Sequence, residues 1–402
     1  MHIHLIGGSN TGIWDGWAHH FVLAVERDLS ARVTNGFLGA VGSLFGLYRL
    51  QRLKSDGEPF PDVVVFEYAL NDIVFADGRV ISTRLVRETL MDAADFCVRA
   101  GIALQFLCLA PRDLRCARVS RRIARAYEDV ARNYGLPPPL SQREAMARVI
   151  VDGDYLDEHH LNPDASRAVA AALVRRLSTL ALRTAPPVAS PPRRSFAFVD
   201  ATRAATAGRA WRSTCTMTVL SGPVVEMRRP SSATFPAEGR LVGVLFRSRR
   251  SSGWYRIGVG GALRRKNACE SALAFLPEAV SMQYPRVRTL ARGAVEIAMP
   301  DYERALMRLP HDRSPMPWGP EAPFGDQELA LFGVVLWRET SVLARIRVAV
   351  RAARKAVRRS VQSLWLAWLA ERDAPARKLR YRRRRARGAR GRRPWICLHP
   401  YS

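Results

Sequence analysis

The sequence contains no C-x-x-C pair. Its six cysteines, Cys97, Cys108, Cys116, Cys215, Cys269 and Cys397, stand apart, and no histidine lies near enough in sequence to complete a zinc pattern. That spacing argues against a zinc-organised fold and a disulfide framework, and Cys97 and Cys108, in apolar surroundings, read as small core residues. No stretch approaches the roughly 18 consecutive apolar residues of a spanning helix. The opening residues MHIHLIGGSN lack a basic region followed by a long apolar segment and a cleavage site, so a cytoplasmic location is expected. Acidic residues are scarce, 36 Asp and Glu against 63 Lys and Arg, for a formal net charge of +27. Such an excess raises nucleic acid as a partner, but its distribution weakens that reading. Residues 344–402 hold 19 Lys and Arg against two acids, Glu371 and Asp373, so they carry +17 and leave +10 for the rest of the chain.

What is present is a chain of 402 residues, 48% apolar, long enough for two or three domains. Short apolar runs alternate with helical periodicity through the first part. Strands are expected at 3–6, 31–34, 63–67 and 102–110, and helices at 17–29, 42–53, 83–100, 121–134 and 164–182. The compact β-branched run at 63–67 suits a fully buried parallel strand. This alternation predicts a three-layer α/β domain over residues 1–183, with functional loops at the C-terminal ends of its strands. A proline-rich linker is expected at 184–194. From 195 to 340 the pattern changes to short runs separated by turns, at 195–199, 214–220, 241–247, 254–259, 294–299 and 329–336, the pattern of a β-rich domain and a sandwich in expectation. Residues 341–402 read as a basic amphipathic helix followed by an Arg-rich tail.

Chemistry concentrates in four places. Ser9 follows the first strand on a Gly-Gly turn that leaves its hydroxyl uncrowded. Gly39 lies beyond the second strand, where its N–H can point into a cleft. Asn71 lies just past the most apolar strand, where its amide can donate to an oxyanion or close an Asx-turn, and Asp72 beside it can brace the loop. Asp157 precedes His160 by three residues, a spacing that lets a carboxylate reach Nδ1 and leaves Nε2 for a nucleophile. Acyl transfer through serine needs this set: an exposed Oγ, an imidazole, an acid to hold it, and donors for the oxyanion. His159 is the neighbouring alternative to His160, and the Asp157 spacing favours His160.

These segments, in this order across residues 1–182, resemble the blocks of the SGNH, or GDSL-like, hydrolase superfamily. The resemblance implies Ser9 as nucleophile, Asp157 and His160 as the rest of a triad, and Ser9, Gly39 and Asn71 as the oxyanion hole. Two positions depart from the family pattern: Gly8 stands where Asp is usual, and Ala69 where a glycine usually precedes the Asn by two residues. No catalytic group is lost by either. The family implies no metal or redox cofactor. It spans esterases that remove an O-acyl group from a carbohydrate or small ester and glycan O-acetyltransferases, which would need an acyl donor such as acetyl-CoA. Asn10, Trp211, Trp254, Tyr255 and Trp318 are candidate substrate contacts, the aromatics by stacking on sugar faces. The tail at 341–402 is a candidate for an anionic membrane surface, placing the protein at the inner face, or for an acidic partner. The competing reading is a non-catalytic basic protein that binds membrane or nucleic acid on a hydrolase-like fold.

Overall fold

The computed structural model describes residues 1–55, 57, 59–112, 117–179, 192–287, 289–312 and 319–338. Up to Ser178 the chain runs β1 (His2–Gly7), α1 (Ser9–Gly12), α2 (Trp17–Leu29), β2 (Arg32–Asn35), α3 (Ser43–Ser55), β3 (Val63–Glu67), α4 (Ala69–Asp77), α5 (Thr83–Ala100), β4 (Ala103–Cys108), α6 (Ala117–Asn133), β5 (Leu140–Ser141), α7 (Gln142–Met146) and α8 (Pro163–Ser178). The strands form one parallel sheet in the order β2-β1-β3-β4-β5. Period-two alternation splits β3 between two cores: Val63 and Val65 pack with Phe21 of α2 and Leu173 of α8, and Val64 and Phe66 with Phe45, Leu90 and Tyr127 of α3, α5 and α6. That is why the run reads as continuously apolar. Helix ends follow their sequence signals. Ser82 caps α5 by accepting from the Leu85 N–H at 3.1 Å, Gly101 ends it with φ of 72°, and Asn162 caps α8, which Pro163 opens.

The second half is one sheet of eight strands: β6 (Phe196–Asp200), β7 (Ala205–Cys215), β8 (Gly222–Arg249), β9 (Trp254–Val259), β10 (Ala262–Asn267), β11 (Glu278–Gln283), β12 (Leu290–Met299) and β13 (Glu328–Trp337). The 28-residue β8 organises it, pairing with β7, β11, β12 and β13 along different stretches. Only its 241–247 portion is legible as a strand, because Pro223, Pro230 and Pro236 interrupt the apolar pattern upstream. Three further strands escape the sequence reading, β11 at Glu278–Gln283 among them. β10 carries three consecutive basic residues, Arg264 to Lys266, and β7, expected at 214–220, is largely exposed and offers no alternation. The proline-rich residues 184–191, Trp318 and the 341–402 tail lie outside the described residues. Among the described residues, no helix is long and apolar enough to cross a membrane.

Sequence suggests two domains on a tether; the structure joins them through a shared core. Phe196, Leu220, Leu245, Met282, Tyr284, Phe332 and Trp337 belong to the same buried cluster as Phe45, Phe66 and Leu90 of the α/β half. The Phe198 ring lies 5.2 Å from that of Tyr48. A polar hub fixes the crossing. Asp92 on α5, with 1% of its side chain exposed, accepts from Arg193 Nε at 2.8 Å and from the Ser195 and Phe196 N–H groups at 2.7 and 3.2 Å. Arg193 also pairs with Glu88. Removing the buried partner of such a network leaves several donors unpaired, a loss of about 3–5 kcal/mol. Asp92→Ala is therefore expected to lower stability by about that amount in urea unfolding, whereas Asp129→Ala, which breaks an exposed pair with Arg132, costs under about 1 kcal/mol.

Candidate active site

The four sequence segments converge at the C-terminal edge of the parallel sheet. Ser9 begins α1 at the end of β1, and its Oγ lies 2.9 Å from His160 Nε2. His160 Nδ1 lies 2.6 Å from Asp157 Oδ2, and Asp157 Oδ1 accepts the His159 and His160 N–H groups at 2.7 and 2.9 Å. Partial burial opposes ionisation of Asp157, but the His160 ring and these two N–H groups outweigh it and hold the carboxyl down at about 2. The acid is therefore ionised throughout the neutral range. Ser9 and His160 are half-buried, so the reacting edge faces solvent. His159 joins this set through its backbone, the N–H donating to Asp157 and the carbonyl accepting from Asn10.

Asn10 binds the two ends together. Its Nδ2 donates to the His159 carbonyl at 2.9 Å and its Oδ1 accepts from the Leu161 N–H at 3.2 Å. With 2% exposure and both amide ends engaged, Asn10 clamps the histidine turn to α1 and is not available as a substrate contact. The turn is further closed by pairing of Tyr155 with Leu161 and by the Leu156 N–H on the His160 carbonyl at 2.8 Å.

Gly39 lies against Ser9. A Cβ built there would sit 3.1 Å from that of Ser9, so glycine allows this close approach. The preceding segment is laid along β1 by the Gly36 and Leu38 N–H groups, which donate to Leu5 and Gly7 carbonyls at 2.8 and 2.9 Å. Asn71 sits in the first turn of α4, a helix where the sequence reading expects a loop. Four apolar residues, Ala69, Leu70, Ile73 and Phe75, are buried on this short helix and draw it against the core. Asn71 is itself buried, and its Oδ1 would lie only 2.2 Å from a Cβ at position 8. Gly8 thus leaves the space that Asn71 occupies.

Two buried carboxyls underlie this arrangement. Glu67, the last residue of β3, accepts from the Gly8 N–H and the Thr11 hydroxyl at 3.1 and 3.0 Å. Complete burial pushes its carboxyl up to about 8, against those two hydrogen bonds. Asp72 accepts the Ser43 N–H and the Tyr127 hydroxyl, each at 2.9 Å, and burial pushes it up to about 7. Asp72 therefore braces the segment that follows Gly39, a partner 29 residues away, in place of its own loop. The Gly42 N–H donates to the Tyr284 hydroxyl at 2.7 Å, so the second half of the chain also supports that segment. The sequence signal for Glu67, a carboxylate closing an otherwise apolar strand, is available; that for Tyr284 is not, because nothing in sequence pairs residues 242 apart.

The aromatic candidates separate. Tyr255 is completely buried and donates its hydroxyl to Gln283 at 2.7 Å, so it is a core residue and not a substrate contact. Trp254 interacts with His311 at 5.0 Å and Arg265 at 5.2 Å, and Trp211, 44% exposed, with Arg228 at 5.6 Å, all within the second half. Trp14, which the sequence reading passes over, is 83% exposed in the turn after α1 and lies 4.8 Å from the His19 ring.

No family model and no curated protein matches the sequence. Solved structures do match the fold. The crystal structure of a two-domain esterase, CEX, active on acetylated mannans, aligns at TM-score 0.56 and 17% identity, covering 85% of this chain and 92% of that one. Matches restricted to about the first half include an acetyl xylan esterase, AlAXEase, at 15% identity and TM-score 0.36, covering 44% of this chain and 100% of that one. Another is a putative SGNH hydrolase from Slackia heliotrinireducens, at 20% identity and TM-score 0.35, covering 44% and 98%. The extended match includes both halves, so the joined α/β and β-sheet arrangement is a shared architecture. This chain shares the fold of that two-domain esterase, a parallel-sheet α/β half joined to a β-sheet half.

Proposed function

We propose that the protein is a serine ester hydrolase that removes an O-acyl group, acetyl in the first instance, from a carbohydrate or a small ester. The observation that carries this reading is the continuous relay from Asp157 through His160 to Ser9, at 2.6 and 2.9 Å. Ser9 Oγ attacks the ester carbonyl as His160 Nε2 takes its proton, and His160 then returns that proton to the leaving alcohol. Water, deprotonated by the same ring, releases the acid from the acyl-enzyme. Asp157 keeps the proton on Nδ1 and stabilises the imidazolium as it forms. The Ser9 and Gly39 N–H groups and the Asn71 amide hold the oxyanion, acting where charge develops in the transition state. Acetylated carbohydrate is favoured as substrate by the architecture shared with an esterase active on acetylated mannans and by the exposed ring of Trp14 beside the nucleophile turn.

Release of p-nitrophenol from p-nitrophenyl acetate, and of acetate from acetylated mannan, is expected for the wild type. Ser9→Ala is expected to lose roughly 10⁴-fold or more in kcat. Acetylated sugar formed from acetyl-CoA and a sugar acceptor, with no net acetate release, would turn the assignment to O-acetyl transfer. Equal rates in wild type and Ser9→Ala on both esters would overturn the serine mechanism and favour a binding protein.

Removing one oxyanion donor typically costs about 10²- to 10³-fold in kcat, and Asn71→Ala is expected to fall in that range. Gly8→Ala displaces the same side chain and is expected to lose a similar factor, with little further loss in the double variant. Additive losses would separate Gly8 from Asn71.

Glu67 and Asp72 fold best as neutral acids. Their stabilising contribution is full below the ordinary values of 4.5 and 3.8 and is lost as pH rises through about 8 and about 7. Stability of the wild type in urea is expected to decline from pH 5 to pH 8.5, and Glu67→Gln to flatten that decline.

A further inference from the structure

A cavity lies away from Ser9, His160 and Asp157, where the turn between α4 and α5 faces the β-sheet half. Its volume is about 490 Å³, within the range of small-molecule sites, and Ser9, Gly39, Asn71, Asp157 and His160 are all absent from its lining. Four arginines line it, Arg79, Arg122, Arg240 and Arg286, with no acidic residue among the lining side chains. Among the described residues none of the four forms an ion pair with a carboxylate. The Arg286 side chain makes one hydrogen bond, to the Gly78 carbonyl at 3.1 Å, while its backbone N–H donates to the Asp312 carboxylate at 2.7 Å, and the buried Nε of Arg240 has no hydrogen-bond partner. Cations converging from α6, β8 and two separate turns repel one another unless an anion stands between them. The first residues of the 18-residue α5, with Ser82 and Thr83 in the lining, add the positive end of a helix dipole. The rest of the surface is apolar, with Val80, Ile81 and Val242 contributing.

We propose that this cavity binds a phosphate ester with an apolar body. The guanidinium forks match phosphate oxygens in pairs, which a single lysine point charge does not. The aliphatic wall takes the organic part, so an ester is preferred over inorganic phosphate. The site is cationic through residues that no step of the ester chemistry uses, and its occupancy is independent of whether Ser9 is reactive.

The test is phenylglyoxal labelling of arginines in the full-length protein, mapped peptide by peptide by mass spectrometry, which reads the cavity separately from the Arg-rich tail. Phenyl phosphate, inorganic phosphate and benzyl alcohol serve as probes at matched ionic strength. Phenyl phosphate is expected to protect all four cavity arginines at a concentration about tenfold below inorganic phosphate, a difference of about 1.4 kcal/mol, and benzyl alcohol to protect none. In Arg240→Gln/Arg286→Gln, protection of Arg79 and Arg122 is expected to need at least about tenfold more phenyl phosphate, with turnover of p-nitrophenyl acetate unchanged. The exposed pair Arg79→Gln/Arg122→Gln, read through Arg240 and Arg286, gives the same comparison if the first variant fails to fold. Protection confined to the tail arginines, or undiminished protection in a folded variant, would overturn the proposal. Equal potency of the two phosphates would overturn the apolar part of it.

Discussion

The site depends on one side chain holding together residues 151 apart in sequence. Asn10 uses both ends of its amide to fasten the 155–161 turn to the helix that begins with Ser9. Because the Ser9 Oγ and the His160 ring are carried on the two fastened pieces, their 2.9 Å separation follows from a buried, fully satisfied clamp. A buried amide with either end unpaired is costly, so the clamp favours one register of the turn over its alternatives. The Asp157 carboxylate repeats the same logic locally. It accepts two N–H groups of its own turn with one oxygen and the imidazole with the other, which orients the ring before any substrate arrives.

Behind these groups the proposed oxyanion donors are held by a frame that reaches far beyond the sheet edge. Glu67 grips the turn before Ser9, Asp72 grips the segment after Gly39, and Tyr284 reaches that same segment from the β-sheet half. Burial of both carboxyls favours their neutral forms, so the frame avoids placing two uncompensated negative charges under the proposed oxyanion site. The β-sheet half therefore contributes to the geometry of the segment after Gly39 as well as to a common core. This couples the two halves in a way that a module hung on a flexible linker would not.

Local signals made the α/β layers and the Asp157–His160 contact legible. β3 reads as buried because both of its faces are covered, α5 carries its cap and its terminating glycine in sequence, and Asp157 and His160 are three residues apart. Reading failed where the decisive partner is distant. Asn10 looks like a free polar residue beside the nucleophile until the 155–161 turn closes on it. Tyr255 and Trp254 are adjacent in sequence, and only packing decides that the first is core and the second half-exposed. The prolines of β8 argue against a long strand on local grounds, and pairing with four neighbours overrides them. The placement of Asn71 on a helix had the same cause: the Asn-Asp pair reads as a turn, and burial of the apolar residues around it prevailed.

The central claim is that Ser9 is a nucleophile because His160 and Asp157 make it one. It is tested most directly by treating the protein with diethyl p-nitrophenyl phosphate and locating the adduct by peptide mass spectrometry. One diethylphosphoryl group on Ser9 is expected in the wild type, formed far more slowly in His160→Ala. An unlabelled Ser9, or labelling that proceeds equally without the imidazole, would contradict the account.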